Sequence, residues 1–308
     1  MKVSIIIPFL NASSTIKRCI ESAVSQTYNN IEIICVDNGS NDESVKILQD
    51  YIINYKHIKL YTELRKGANF ARNLGIKKAS GSWLNFLDAD DFISKKKIEN
   101  QVKTLKTKYP FIASSYYYVN LNGHKRKHKI KYLDPWKDLF SGNLGITSSN
   151  LFKKTNVIDV GMWNEDYNSS QEADLMFRLI KKYGFPYLIK REFDTIVYQQ
   201  KSSISNTNRS DNLRTFLNLR ILILDHLKKF EGDYFESNKQ WFLNELLTIT
   251  LQCYVRNEEH SISVFKKYIK ADYKISNDNT FYRNLLILII NLFGFKAGAF
   301  LYAQKNQN

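Results

Sequence analysis

Residues 83–91 read Trp-Leu-Asn-Phe-Leu-Asp-Ala-Asp-Asp. An apolar run over 83–87 ends on three carboxylates within four positions, Asp88, Asp90 and Asp91. Like charges that close repel, and ionised carboxylates are rarely buried without a partner. A short apolar run bounded by polar residues is the pattern of a buried strand. The stretch therefore predicts a strand that delivers three acids to one rim, where a cation must meet them.

Working outward, the preceding residues repeat this design. Val3-Ser4-Ile5-Ile6-Ile7 is a β-branched run ended by Pro8, which suits a strand covered on both faces. Ile16, Cys19, Ile20, Ala23 and Val24 then recur at helical spacing. A second strand, Ile31-Glu32-Ile33-Ile34-Cys35-Val36, breaks at Asp37-Asn38-Gly39-Ser40-Asn41-Asp42, a turn cluster. A helix with Val45, Leu48, Tyr51 and Ile52 on one face follows, then a short strand at Ile58-Lys59-Leu60-Tyr61. A helix with small residues (Ala68, Ala71, Gly75, Ala79) leads back to Trp83. Strictly alternating strands and helices predict an α/β fold with a doubly wound, mostly parallel sheet. Ligands bind such sheets beyond the carboxyl ends of the strands. Asn11, Asp37 with Asn38, and Asp88 to Asp91 all fall at those ends.

The chain has 308 residues and 44% hydrophobic composition, enough for one large domain or two modest ones. Beyond residue 110 the pattern loosens, with strand-like pieces at 111–121, Tyr187–Ile189 and Thr195–Tyr198 and a helix over Gln171–Tyr183. After 205 it changes to long apolar helices at 213–227 and 241–254. The domain expectation is a catalytic domain over 1–205, in halves 1–110 and 111–205, followed by a helical region over 206–308, with the boundary near 202–206. The stretch 285–302 is apolar but interrupted by Asn291 and Lys296, marginal for a membrane span. It reads as a packed helix, an interfacial helix or a span. Gly294 and Gly298 have the spacing of a membrane-helix contact. Cys19, Cys35 and Cys253 show no Cys-x-x-Cys pairing, and no signal-peptide design precedes the first strand; both suggest a cytoplasmic chain. The net charge of +15 suits nucleic acid, an anionic membrane or phosphorylated small molecules. No nucleic-acid motif is present, so nucleic acid is not an expected partner.

Carboxylates in this number are hard-oxygen ligands for Mg²⁺ or Mn²⁺, ions held by one or two protein carboxylates with phosphate and water completing the shell. A metal–diphosphate complex is the natural occupant. The ordered pieces 3–8 with Asn11, Ser25-Gln26-Thr27-Tyr28, Val36-Asp37-Asn38-Gly39-Ser40, Gly67-Ala68-Asn69-Phe70-Ala71-Arg72-Asn73, Ala79-Ser80-Gly81 and 87–91 together resemble family 2 glycosyltransferases. That resemblance implies the GT-A (Rossmann-like) fold with inverting chemistry. It further implies a nucleotide-sugar donor of the UDP-sugar type and a glycan or lipid-linked acceptor in bacterial surface-glycan synthesis. Nucleotide-sugar contacts are implied for Pro8, Phe9, Asn11, Asp37, Asn38, Gly67, Arg72, Asp88, Ala89 and Asp90, and metal contacts for Asp90 and Asp91. The Asp37-Asn38 loop should face the base, although a second acid is common where Asn38 stands. Arg72 is a candidate partner for either Asp88 or the diphosphate.

Inverting transfer also needs a base to take the acceptor hydroxyl's proton. Gly161 to Glu165 and Gln171-Glu172-Ala173-Asp174-Leu175-Met176-Phe177-Arg178 resemble the family's second half. Aligned on Asp174, Leu175 and Arg178, Glu172 takes the base position and Gln171 replaces an acidic neighbour. Asp174 is the alternative base, and both acids also suit a first helical turn. His124 to Lys131 reads as a solvated basic loop, or as a grip on a phosphorylated or lipid-linked acceptor at the inner face of an anionic membrane. Two readings compete with an active enzyme. One is an inactive family member that serves as a binding partner, the other a basic nucleic-acid-binding protein.

Overall fold

The computed structural model describes residues 1–105, 108–200, 209–270, 288–290 and 294–305. The first half builds alternating strands and helices: β1 (Val3–Phe9), α1 (Ile16–Val24), β2 (Ile31–Asp37), α2 (Ser44–Asn54), β3 (Ile58–Thr62), α3 (Ala68–Lys78) and β4 (Trp83–Phe86). There follow β5 (Phe92–Ile93), α4 (Lys97–Lys103), β6 (Phe111–Ser114), β7 (Tyr116–Val119), β8 (Lys125–His128), α5 (Pro135–Ser141) and β9 (Leu151–Lys153). The elements α6 (Lys154–Asp159), α7 (Gln171–Tyr183), β10 (Tyr187–Ile189) and β11 (Thr195–Tyr198) complete this part.

Seven strands form the main sheet in the order β10-β6-β9-β4-β1-β2-β3. β4, β1, β2 and β3 are parallel. Every residue of β1 is buried, which is why its sequence is almost uniformly apolar rather than alternating. The chain runs from β1 outward to β2 and β3, then returns to place β4 on the other side of β1. The carboxyl ends of β1 and β4 therefore flank a topological switch point, the place where such sheets bind ligands. One face carries α1 and α2, with Ile16, Cys19, Ile20 and Leu48 packed on Val3, Ile5, Ile7, Ile33 and Cys35. α3 presses on β1 so closely that a Cβ at Gly75 would lie 2.4 Å from Ile6 Cγ2.

The sheet is mixed. β9 lies between β4 and β6, antiparallel to both. Pro8 does not end the first strand, which continues through Phe9 in register with Asp37. A second sheet has the order β5-β11-β7-β8. The basic run expected as a solvated loop or an acceptor grip is in part its edge strand β8, whose four residues are all exposed.

The chain divides into two compact units, Met1–Ser203 and Ile204–Asn308. The boundary expected at 202–206 lies outside the described residues. The second unit contains α8 (Arg209–Phe230), α9 (Gly232–Tyr254), α10 (Glu258–Val264), a π-helical turn (Phe265–Ile269) and α11 (Phe295–Lys305). Leu217, Ile223, Leu224 and Leu227 of α8 are buried, as are Phe242, Leu243, Leu246 and Leu247 of α9. Of the stretch 285–302, residues 285–287 and 291–293, Asn291 included, lie outside the described residues. Among the described residues no helix is long and apolar enough to cross a membrane. Lys296 pairs with Glu258 at 2.7 Å, and Gly298 closes on Ile290 within the chain.

Candidate active site

Three loops meet at the switch point. Leu87 N–H extends the β4 ladder by donating to Ile6 O, after which the chain turns. Asp91 N–H donates to Asp88 O at 3.0 Å and closes the acidic loop. Ser148 holds both ends of that loop. Its Oγ accepts from Asp88 N–H at 3.1 Å and donates to Asp91 Oδ2 at 2.5 Å. Arg18 of α1 holds the middle, donating from Nη2 to Asp90 O at 2.5 Å while its guanidinium lies 3.8 Å from the Tyr198 ring centroid. Ala89 sits buried between them.

The three carboxylates are in different situations. Asp88 is half-buried, and its Oδ1 accepts from Arg72 Nη2 at 2.8 Å. Asp91 is 3% exposed. Burial, then the charges of Asp88 and Asp90, push its pKa well above the usual carboxylate range. Asp90 is raised to about 6 by burial and by Asp88. Among the described residues no cationic side chain forms an ion pair with Asp90 or Asp91. Two crowded hard-oxygen donors, with Arg18 as a nearby positive charge at Asp90 but no ion pair among the described residues, fit a divalent cation. Among the described residues no three His, Cys, Asp or Glu side chains converge to hold an ion by themselves. The remaining ligands of such an ion would therefore be phosphate oxygens and water.

The loop after β1 is tied to the loop after β2. Asn11, at φ 50, donates its N–H to Ser40 Oγ and accepts from Asn41 N–H. Asp37, buried at the end of β2, commits one oxygen to Ser40 N–H. Asn38 N–H donates to Phe9 O. The Asn38 side chain is wholly engaged inside the protein. Its amide donates to Glu63 O and Arg65 O and accepts from Gly67 N–H. Asn38 thus shapes the 63–67 segment, and Asp37 is left as the side chain of this pair with an uncommitted oxygen. Gly67 sits at φ +136, in backbone that favours glycine.

The motif at 67–73 joins the two halves of this unit. Asn69 Nδ2 donates to Asn164 O and Tyr167 O. Asn73 exchanges hydrogen bonds with the backbone of Trp163 and donates to Glu165 Oε1. Arg72, buried, reaches Gln171 Oε1 at 2.8 Å as well as Asp88, and its guanidinium lies 4.7 Å from the Trp163 ring centroid. A single cation therefore links the acidic loop to the first residue of α7.

At the head of α7 the two candidate bases differ. Asp174 is buried and ion-paired with Arg178, whose Nη2 lies 2.6 Å and Nε 3.0 Å from its Oδ2; Arg178 also donates to Val160 O. Glu172 is half-buried and makes no hydrogen bond or ion pair among the described residues. Its charge and that of Asp91 reach Tyr116, whose hydroxyl is raised to about 12, first by burial and then by those two carboxylates. Glu172 and the acidic loop thus share one neighbourhood. Arg18 and Ser148 are absent from the sequence expectations. Arg18 looks like any exposed helix arginine, while Ser148 belongs to Thr147-Ser148-Ser149-Asn150, a small polar run that turns out buried throughout.

Comparison with known proteins agrees with this construction. The family model described as glycosyl transferase family 2 matches residues 4–171. A glycosyltransferase of Haemophilus influenzae, uncharacterised, is 38% identical over 138 residues, which is 42% of this chain and 55% of that protein. The UDP-Glc:alpha-D-GlcNAc-diphosphoundecaprenol beta-1,3-glucosyltransferase WfaP of Escherichia coli is 42% identical over 117 residues, 38% of this chain and 46% of that one. Both alignments thus span only about half of the relative's length. In shape the chain is similar to residues 1–349 of S. aureus TarS, crystallised with UDP-GlcNAc. The TM-score is 0.62 at 14% identity, over 90% of this chain and 95% of that one. That likeness is one of fold, the GT-A arrangement of a parallel-dominated sheet.

Proposed function

Since the chain belongs to glycosyl transferase family 2, whose model covers more than half of it, we propose that it transfers one sugar with inversion. The donor is a UDP-sugar and the acceptor a hydroxyl on a bacterial surface glycan or lipid-linked precursor. The observation that carries this reading is that Arg72 bonds both Asp88 of the acidic loop and Gln171, the neighbour of Glu172 at the head of α7, so the crowded pair Asp90 and Asp91 and the candidate base stand on one rim. The donor class is supported by the nucleotide sugars in the names of the E. coli relative and of the TarS complex.

Asp90 and Asp91 would hold a Mn²⁺ or Mg²⁺ ion. Such an ion, when bound, offsets the negative charge that builds on a departing nucleoside diphosphate. Asp37 faces the base with its free oxygen, while Asn11, Asn38 and Gly67 fix the loops around it. Pro8 and Phe9 set the floor of the nucleotide cleft at the end of β1. Arg72 neutralises Asp88 and keeps it from competing with Asp90 and Asp91 for the cation. Glu172 accepts the acceptor hydroxyl's proton. The oxygen so freed forms its bond to the anomeric carbon on the face opposite the diphosphate, and the old carbon–oxygen bond leaves with its electron pair on the diphosphate. Asp174 orients Arg178 and the helix and takes no proton. A cytoplasmic setting at an anionic membrane face accords with the basic charge.

Thermal denaturation with a panel of nucleotide sugars, with and without Mn²⁺, tests the reading. A donor at 100 times its dissociation constant adds about 2.7 kcal/mol of stability. The expected result is stabilisation by UDP-sugars that depends on metal and is lost in Asp91→Asn. Equal stabilisation without metal, or by no nucleotide sugar, overturns it. Metal-dependent stabilisation with no turnover against any acceptor would mark a binding partner in place of an enzyme.

A further inference from the structure

The second sheet runs from the acidic loop to the basic edge. β5 begins at Phe92, the residue after Asp91, and the order β5-β11-β7-β8 ends at Lys125–His128. Three inter-strand steps at about 4.8 Å place that edge about 14 Å from the acids. No Asp or Glu occurs from 111 to 133, whereas Lys125, Arg126, Lys127, Lys129 and Lys131 do. Among the described residues Arg126 forms no ion pair.

The two faces of the β7–β8 hairpin are distinct, because side chains alternate along a strand. Lys125 lies over the Tyr117 ring at 3.8 Å and Lys127 over Phe193 at 5.4 Å. Those charges are directed to one face. On the other, the register pairs Tyr116 with His128 and Tyr118 with Arg126. The rings of Tyr116 and His128 stack at 5.0 Å and 12°, and Tyr118 meets His128 edge-on at 5.7 Å. Tyr116 of this second face lies where the charges of Glu172 and Asp91 bear on its hydroxyl, at the end of the sheet that carries the acidic loop. Burial, then Arg126, lowers the His128 pKa, so this ring is a neutral partner at pH 7.

We propose that the face of Tyr116, Tyr118, Arg126 and His128 is the acceptor subsite, and that it selects an acceptor carrying a phosphate or diphosphate beside the sugar that is extended. This deepens the glycosyltransferase reading and rests on it for the meaning of Glu172. The aromatic pair offers a flat apolar surface for the C–H face of a sugar, next to the proton acceptor. One same-face position further along β8, about 6.6 Å away, stands Arg126. That offset is about the width of a pyranose ring, so a sugar resting against the rings of Tyr116 and His128 presents its anomeric phosphate to the guanidinium. Arginine binds phosphate through two parallel N–H donors, with more geometric selectivity than lysine. The position beside Glu172 favours a soluble phosphate-bearing head group over a membrane surface, which would need no alignment with the base.

The test uses the full chain with saturating UDP and Mn²⁺, so that the donor site is filled, and decyl diphosphate as the probe, titrated by calorimetry. Arg126→Ala should weaken binding at least ten-fold. The pair Lys125→Ala and Lys127→Ala on the opposite face should weaken it less than three-fold. UDP affinity in the presence of Mn²⁺, measured on the same proteins, should be unchanged. Binding by Arg126→Ala within two-fold of the parent overturns the proposal, as does an equal loss in the opposite-face variant. Sedimentation with phosphatidylglycerol vesicles separates the other source of phosphate. If vesicle binding falls equally in both variants while decyl diphosphate binding is unchanged, the edge is a membrane contact and the proposal fails. Failure of the parent to bind UDP with Mn²⁺ would instead overturn the donor reading and leave the hairpin result to stand by itself.

Discussion

Glu172 and Asp174 sit two residues apart, and their surroundings assign them different tasks. Asp174 is spent on Arg178, which directs both Nη2 and Nε at its Oδ2. Glu172 has no such partner. Glu172→Gln should lower kcat about 10²- to 10⁴-fold while leaving donor-dependent stabilisation intact. Asp174→Asn should show the opposite split, losing about 2–3 kcal/mol of stability by stranding Arg178 and keeping its activity at temperatures where it remains folded. Steady-state kinetics beside denaturant titration read both, and a larger kcat loss in Asp174→Asn would exchange the roles. At this scale residue types were legible in the sequence, but partners were not. Arg72 read equally well as a ligand for Asp88 or for a diphosphate, and only the approach of α3 to the acidic loop brings it to Asp88. Asn38 read as a base-facing group because it follows Asp37. The sequence could not say that the 63–67 segment folds back to consume its amide.

Glu32 shows how the far end of the sheet is secured. It begins β2 on the edge opposite the candidate site, buried, and accepts from Ser4 Oγ, Ser80 N–H and Oγ, and Lys2 Nζ. It thus ties β1 and β2 to the turn before β4. Burial alone would raise its pKa, but the hydrogen bonds from Ser4, Ser80 and Lys2 outweigh that and bring it to about 2. The folded value lies below the unfolded one. The stabilisation is therefore full above pH 4.5 and is lost as the pH falls toward 2. Glu32→Gln should cost about 1–2 kcal/mol at pH 7, after allowance for solvent near the strand start. That cost should shrink as the pH falls below 4.5 and vanish only below about pH 2. A cost unchanged at pH 2 would show that shape rather than charge matters there. Among elements, the strands and helices up to Phe86 were legible because each is a long periodic run with a clear break. β8 was not, since a strand of Lys, Arg and His has no apolar alternation and exists by pairing with the tyrosines of β7. Likewise β9 depends on the gap between β4 and β6, which only tertiary packing creates.

At the scale of the whole molecule, all residues assigned to the site, from Pro8 to Asp174, belong to the unit Met1–Ser203. That unit has its own core, centred on β1 and β2. We therefore propose that residues 1–205 form the catalytic domain, with nucleotide contacts in 1–110 and acceptor and base contacts in 111–205, and that 206–308 is a separate helical region. The sequence marked that change by composition, from short β-branched runs to long leucine-rich helices. The helical region's task left no comparable trace, because helix packing constrains apolarity and spacing without naming a ligand. A chain ending at residue 205 should bind UDP with Mn²⁺ within two-fold of the full chain, by calorimetry. The same chain should unfold in one cooperative transition. Transfer to a lipid-linked acceptor presented in vesicles is the activity most exposed to the truncation, since the removed region carries the apolar stretch within 285–302. A loss confined to vesicle acceptors would assign the helices to membrane approach. A ten-fold loss of UDP affinity would instead show that they complete the donor site, and the proposed division of the chain would fall.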